Sequence, residues 1–94
     1  MIQCASDNVV DVSGAMTLPY ASGLLAEGNS SLQWDKTLFN LAAVTDVDSS
    51  GLAVVFGWLR QAQRLGKSIG IANPPRELLS LAEVYGVSEF FPLA

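Results

Sequence analysis

Asp46-Val47-Asp48-Ser49-Ser50-Gly51-Leu52-Ala53 joins two stretches of opposite periodicity. Before it, Lys36-Thr37-Leu38-Phe39-Asn40-Leu41 has no helical stripe and is mostly apolar, as a central strand covered on both faces would be. After it, from about Ser49 to Leu65, residues Leu52, Val55, Phe56, Leu59 and Ala62 recur at the three- and four-residue spacing of one helix face. Gly66 then supplies a helix-ending residue, and Arg60 and Arg64 sit where the negative end of the helix dipole favours cations. A strand that turns at once into a helix is half of a strand–helix–strand unit.

The rest of the chain repeats this alternation. Lys67 to Ala72 reads as a second apolar strand, with Ile69 and Ile71 on one face. Asn73-Pro74-Pro75 is a capping residue with prolines behind it, and the helix that follows would bury Leu78, Leu81, Ala82 and Tyr85 before Gly86. Upstream, Val9-Val10-Asp11-Val12 is a β-branched strand ended by a turn at Ser13-Gly14. Thr17-Leu18-Pro19 then opens a helix that buries Ala21, Leu24 and Leu25 and stops at Gly28. Strands alternating with helices imply right-handed crossovers onto a small, largely parallel sheet, an α/β fold. The length, 94 residues without repeats or linkers, is that of one domain over 1–94.

Composition removes most chemistry. With no His and one Cys, neither a structural zinc site nor a His-based catalytic triad can be assembled, and a lone Cys4 makes no disulfide framework. No Walker A loop is present, and Asp46 and Asp48 alone offer too few oxygens for Mg²⁺, so no cofactor or metal is expected and the chain is not read as an enzyme. A net charge of -4 argues against nucleic acid. Six of the nine acids lie before residue 60, where Lys36 is the sole cation. Hydrophobic residues make up 50% and charged residues 15%, more apolar area than a chain this short can hide within itself. Some of that area should face a partner or a second copy of the chain. The start, Met1 to Asp7, lacks the basic and apolar regions of a signal peptide, and no run of 18 apolar residues exists. The expectation is a cytoplasmic protein without direct membrane insertion, free to sit at a membrane through a partner.

Asp48-Ser49-Ser50-Gly51-Leu52, placed at a strand-to-helix turn, resembles the signature of STAS domains (sulfate transporter and anti-sigma factor antagonist). Gly14, the Gly66-Lys67 joint and Leu81-Ala82-Glu83-Val84-Tyr85-Gly86 extend the likeness from about Val9 to Leu93. The resemblance implies a mixed, mostly parallel sheet of about four strands with three to four helices. It also implies work through protein contact rather than catalysis.

Two branches of the family fit. In the anti-sigma factor antagonists a partner kinase phosphorylates the serine after the motif Asp, which is Ser49 here. Those proteins commonly carry an Asp where this chain has Thr17. In the small stand-alone subunits of Mla phospholipid-transport ABC systems (the MlaB type), the same hydroxyl position meets the ATPase subunit, and the last helix has a similar Leu-Ala-x-x-Tyr end. That branch implies an accessory subunit that binds the ABC transporter ATPase at the inner membrane and supports outer-membrane lipid asymmetry. Weak nucleotide binding, described for some STAS proteins, is a third reading.

The residues alone give the turn two further meanings. Ser49 is accounted for as an ordinary helix N-cap, worth about 1 kcal/mol. Equally, the free N–H groups and dipole of the helix start would welcome a phosphate on Ser49 or Ser50. Within the long helix, Val54, Trp58 and Leu65 form a second apolar stripe beside the first, wider than a surface helix needs. Trp58 is singled out as a candidate partner anchor, against the plainer reading that it packs on the last helix or closes the core. The candidate contact set is Asp48, Ser49, Ser50, Gly51, Leu52 and Trp58. The terminal Phe90-Phe91-Pro92-Leu93 is expected to tuck against the core.

Overall fold

The computed structural model describes residues 1–94. Its elements are β1 (Ile2–Ser6), β2 (Val9–Met16), a single 3-10 turn (Leu18–Tyr20), α1 (Ala21–Ser30), β3 (Lys36–Val47), α2 (Ser49–Arg64), β4 (Ser68–Ala72) and α3 (Arg76–Val84), with a second 3-10 turn at Ser88–Phe90. The sheet runs in the order β1-β2-β3-β4, with β1 antiparallel to β2 and the other neighbours parallel. This is the α/β class and the mixed, mostly parallel four-stranded sheet expected from the sequence.

Both parallel connections step to the next strand in the same direction, so right-handed crossovers lay their helices on one face of the sheet. There α2 packs between α1 and α3. The inward rows match across the strands: Val10, Phe39 and Ile71 are in register, and so are Thr37 and Ile69. Phe39 stacks on Trp58 with ring centroids 4.2 Å apart and planes 8° from parallel. The indole N–H donates to Leu24 O at 3.1 Å, so its one polar atom is satisfied inside the core. Gly28 makes room for that ring, since a Cβ there would fall among the indole atoms.

Several expectations from the sequence are corrected. β3 is covered on one face only: Thr37, Phe39 and Leu41 are buried, whereas Leu38 and Asn40 are half-buried and Lys36 is exposed. On that open face Asn73 donates to Asn40 Oδ1 (3.0 Å) and Asn40 to Asp11 Oδ1 (3.1 Å), a polar chain across the strands. Ser13-Gly14 does not end β2, which continues to Met16 through Gly14 at φ +83°. α1 runs past Gly28 to Ser30, because that glycine serves helix packing rather than helix termination. Asn73 lies in the left-handed region (φ +52°) and does not cap α3, whose N-cap position is Pro75. Tyr85, expected in the core, is 58% exposed.

The terminal segment tucks in at Phe91, while Phe90 and Leu93 stay exposed. Phe91 is buried edge-on to Phe56, with centroids 6.3 Å apart, and Leu93 bridges Ile71 alongside β4.

Two buried polar atoms have no partner, Asn29 Oδ1 and the hydroxyl of Thr37, the latter on a fully buried side chain. Folding strips the Thr37 hydroxyl of water and returns no hydrogen bond, which costs about 1–3 kcal/mol. Thr37→Val keeps the shape and removes the hydroxyl. It should raise stability by about 1 kcal/mol, read as a higher urea midpoint at unchanged slope.

Candidate functional site

The corner between β3 and α2 is built by Asp48. Its backbone is extended (φ -127°, ψ -171°), which stops the strand and starts the helix at Ser49. One carboxylate oxygen, Oδ1, accepts from the Ser50 N–H at 2.8 Å, so Asp48 is the N-cap of α2. The other, Oδ2, accepts from the Leu18 N–H at 3.1 Å, and Asp48 N–H donates to Met16 O at 3.3 Å. End of β2, 3-10 turn and head of α2 thus converge on one side chain. A carboxylate at this helix end also suits the dipole.

Gly51 is buried because the first turn of α2 lies against the end of β2: a Cβ on it would meet Met16 O at 2.6 Å. Leu52 is buried in the core, and Ser50 is half-buried with its amide held by Asp48. Ser49 is the exposed member of the motif. It is the first helical residue and not the cap, a task Asp48 has taken.

Trp58 is corrected from surface anchor to core. It is fully buried, between Phe39, Gly28 and the Leu24 carbonyl, and no face of it reaches solvent. The helix start also differs from an open anion cradle. The Ser50 N–H is spent on the Asp48 side chain, and the Gly51 N–H donates to Asp48 O at 2.9 Å. A phosphate on Ser49 would find those amides occupied and face the Asp48 carboxylate instead.

Two grooves meet at Ser49. One, of about 500 Å³, lies toward α3 and is lined by Val47, Asp48, Ser49, Arg76, Glu77, Ser80, Leu81, Val84 and Tyr85. The other, of about 380 Å³, is lined by Ser49, Leu52, Ala53, Phe56, Tyr85 and Val87. Ser49 and Tyr85 border both, and Val84 beside them is 79% exposed. Tyr85 and Val84 are the residues that sequence reasoning missed as surface. The available signal was Gly86, at φ +71°, which ends the helix and leaves Tyr85 as its C-cap, past the last buried turn. No helix of the chain is long and apolar enough to cross a membrane.

Residues 3–93 match the family model described as "Mlab, STAS domain". The intermembrane phospholipid transport system binding protein MlaB of Haemophilus influenzae is 38% identical over 58 residues, which is 60% of this chain and 55% of that protein. The match thus spans about half the length of that curated relative. Among solved structures, the anti-sigma factor antagonist SpoIIAA in its unphosphorylated form superposes with a TM-score of 0.68 at 16% identity, over 99% of this chain and 84% of that one. Mglu gives 0.59 at 20% identity, over 81% of this chain and 20% of that one. At these identities the two structures establish the fold alone.

Proposed function

The chain belongs to the STAS domain family, and on that premise we propose that residues 1–94 act as one domain, an accessory subunit that binds the ATPase of a phospholipid ABC transporter. STAS domains and MlaB proteins are not known as enzymes, and the work assigned here is contact without chemistry of its own. The likeness to a phospholipid transport system protein supports the transport role. In this reading the protein is cytoplasmic and is held at the inner membrane by its partner.

One observation carries the contact site. Of the motif residues, Ser49 alone is exposed, and it stands where two grooves with apolar walls meet. Asp48, Gly51, Leu52 and Trp58 serve that corner from within: they cap it, let it close against β2 and fasten α2 to the sheet. A small hydroxyl at such a point lets a partner side chain enter both grooves. A bulky anion there would meet the Asp48 carboxylate and block the approach.

Ser49→Glu should therefore weaken binding of the co-expressed ATPase at least about tenfold, a loss of some 1.4 kcal/mol, with the melting temperature unchanged. Titration calorimetry on the purified pair measures it, and equal affinity would remove Ser49 from the contact.

The exposure of Ser49 also favours a second reading, an anti-sigma factor antagonist switched by phosphorylation. It requires a phosphate on the Ser49 peptide isolated from cells and a kinase that co-purifies. An ATPase with an unmodified peptide decides for the transporter.

A further inference from the structure

The turn that precedes α1 is unusually apolar for a surface loop. Leu18 is 73% exposed and Tyr20 58%. Yet the turn is fastened: Leu18 N–H donates to Asp48 Oδ2 at 3.1 Å across 30 positions of sequence, and Tyr20 N–H donates to Thr17 O at 2.9 Å. The same carboxylate caps α2 through Ser50. A solvent-facing leucine held by a half-buried carboxylate is fixed before anything binds, which spares a partner the entropy of ordering it.

We propose that Leu18 forms a second wall of the docking surface at Ser49, and that Asp48 is the positioning residue that holds it there. The inference rests on the reading of Ser49 as the docking point. The occupant is a protein segment with apolar side chains and at least one Lys or Arg. Its charge follows from the groups around the corner. The end of β3 offers Asp46 and Asp48, α3 offers Glu77 against Arg76, and neither the first turns of α2 nor the Leu18–Tyr20 turn carries a charge. A net acidic rim around apolar walls attracts a cationic, apolar peptide surface and repels an anionic lipid surface.

The test uses the full chain and the ATPase subunit of a phospholipid ABC transporter from the same organism, at low and high salt, with wild type, Ser49→Glu, Leu18→Ser and Asp48→Asn. Leu18→Ser should weaken the complex about tenfold, and salt should weaken the wild-type complex. Asp48→Asn keeps one oxygen for the Ser50 amide but has none for Leu18. Hydrogen exchange should then quicken about tenfold at the Leu18 amide and stay unchanged at Ser50, with affinity reduced severalfold.

If Ser49→Glu weakens the complex and Leu18→Ser does not, the docking point stands and the second wall is overturned. Unchanged exchange at Leu18 in Asp48→Asn overturns the positioning role. If wild type forms no complex at all, the transporter reading falls and takes this inference with it. Vesicles of phosphatidylethanolamine and phosphatidylglycerol supply the last arm, because Leu18-dependent sedimentation with them would make the occupant a lipid surface and overturn the proposal.

Discussion

Trp58→Ala is expected to remove about 3–5 kcal/mol of stability, a large share of the about 5–15 kcal/mol that a folded domain possesses. The indole is fully buried and stacked on Phe39, and it fills the space that Gly28 leaves open on α1. Truncation opens a cavity beneath three elements at once, and α1 has no side chain at position 28 with which to fill it. It also removes the bond to Leu24 O. Urea unfolding followed by far-ultraviolet circular dichroism should show a collapsed midpoint, and thermal melting a fall of more than about 10 °C. Trp58→Phe keeps a ring on Phe39 and loses the hydrogen bond, so it should cost markedly less. A midpoint for Trp58→Ala near that of wild type would mean that the indole does not fill the core as described.

Gly51→Ala should be the second most damaging change, against the usual direction of helix propensity. In an open helix interior Gly→Ala gains up to about 1 kcal/mol. Here the new methyl would stand 2.6 Å from Met16 O and 3.0 Å from Val47 Cγ1. The first of these is main chain, and it cannot turn aside without giving up the Asp48 N–H it accepts at 3.3 Å. The head of α2 must therefore back away from β2, at a net cost of about 2 kcal/mol. The displacement carries Ser49 and the Asp48 cap with it, so under the proposed function the variant should also bind the ATPase at least about tenfold more weakly. A stabilised Gly51→Ala protein with full affinity would show that the close approach is not needed. Ser49→Glu separates the two effects, since under the proposed function it should change binding with the packing left intact.

The sequence reveals the elements whose signals are local. α2 and its Gly66 stop, the two inner parallel strands and the α/β class follow from periodicity and helix-ending glycine. What it hides depends on partners distant along the chain. β1 was missed because Ile2-Gln3-Cys4-Ala5-Ser6 pairs on one side only and buries too little to show alternation. Asn8 at φ +57° marks the turn into β2 only once that hairpin is known. Trp58 looked like an anchor because the apolar arc of α2 is wide, but the width is used up by α1, α3 and the sheet together, and the glycine that admits the indole lies 30 residues earlier. At the candidate site the motif itself was legible, whereas the division of labour within it was not. That Asp48 caps, leaving Ser49 outward, depends on which oxygen meets which amide, and the Leu18 bond spans a whole strand and helix.

The open face of the sheet has a consequence for how much change the chain can absorb. All helices lie on one side, so along β2 and β3 each residue committed to packing alternates with one that is not. Val10, Val12, Phe39 and Leu41 are locked by neighbours on every side, while Val9, Ser13 and Leu38 between them touch water. Freedom to vary is therefore striped along the strands with a period of two, and the second face is claimed only by the Asp11–Asn40–Asn73 chain and by Leu38 and Ala94 over Gly70. New surface chemistry can be written there without disturbing the core or the Ser49 corner.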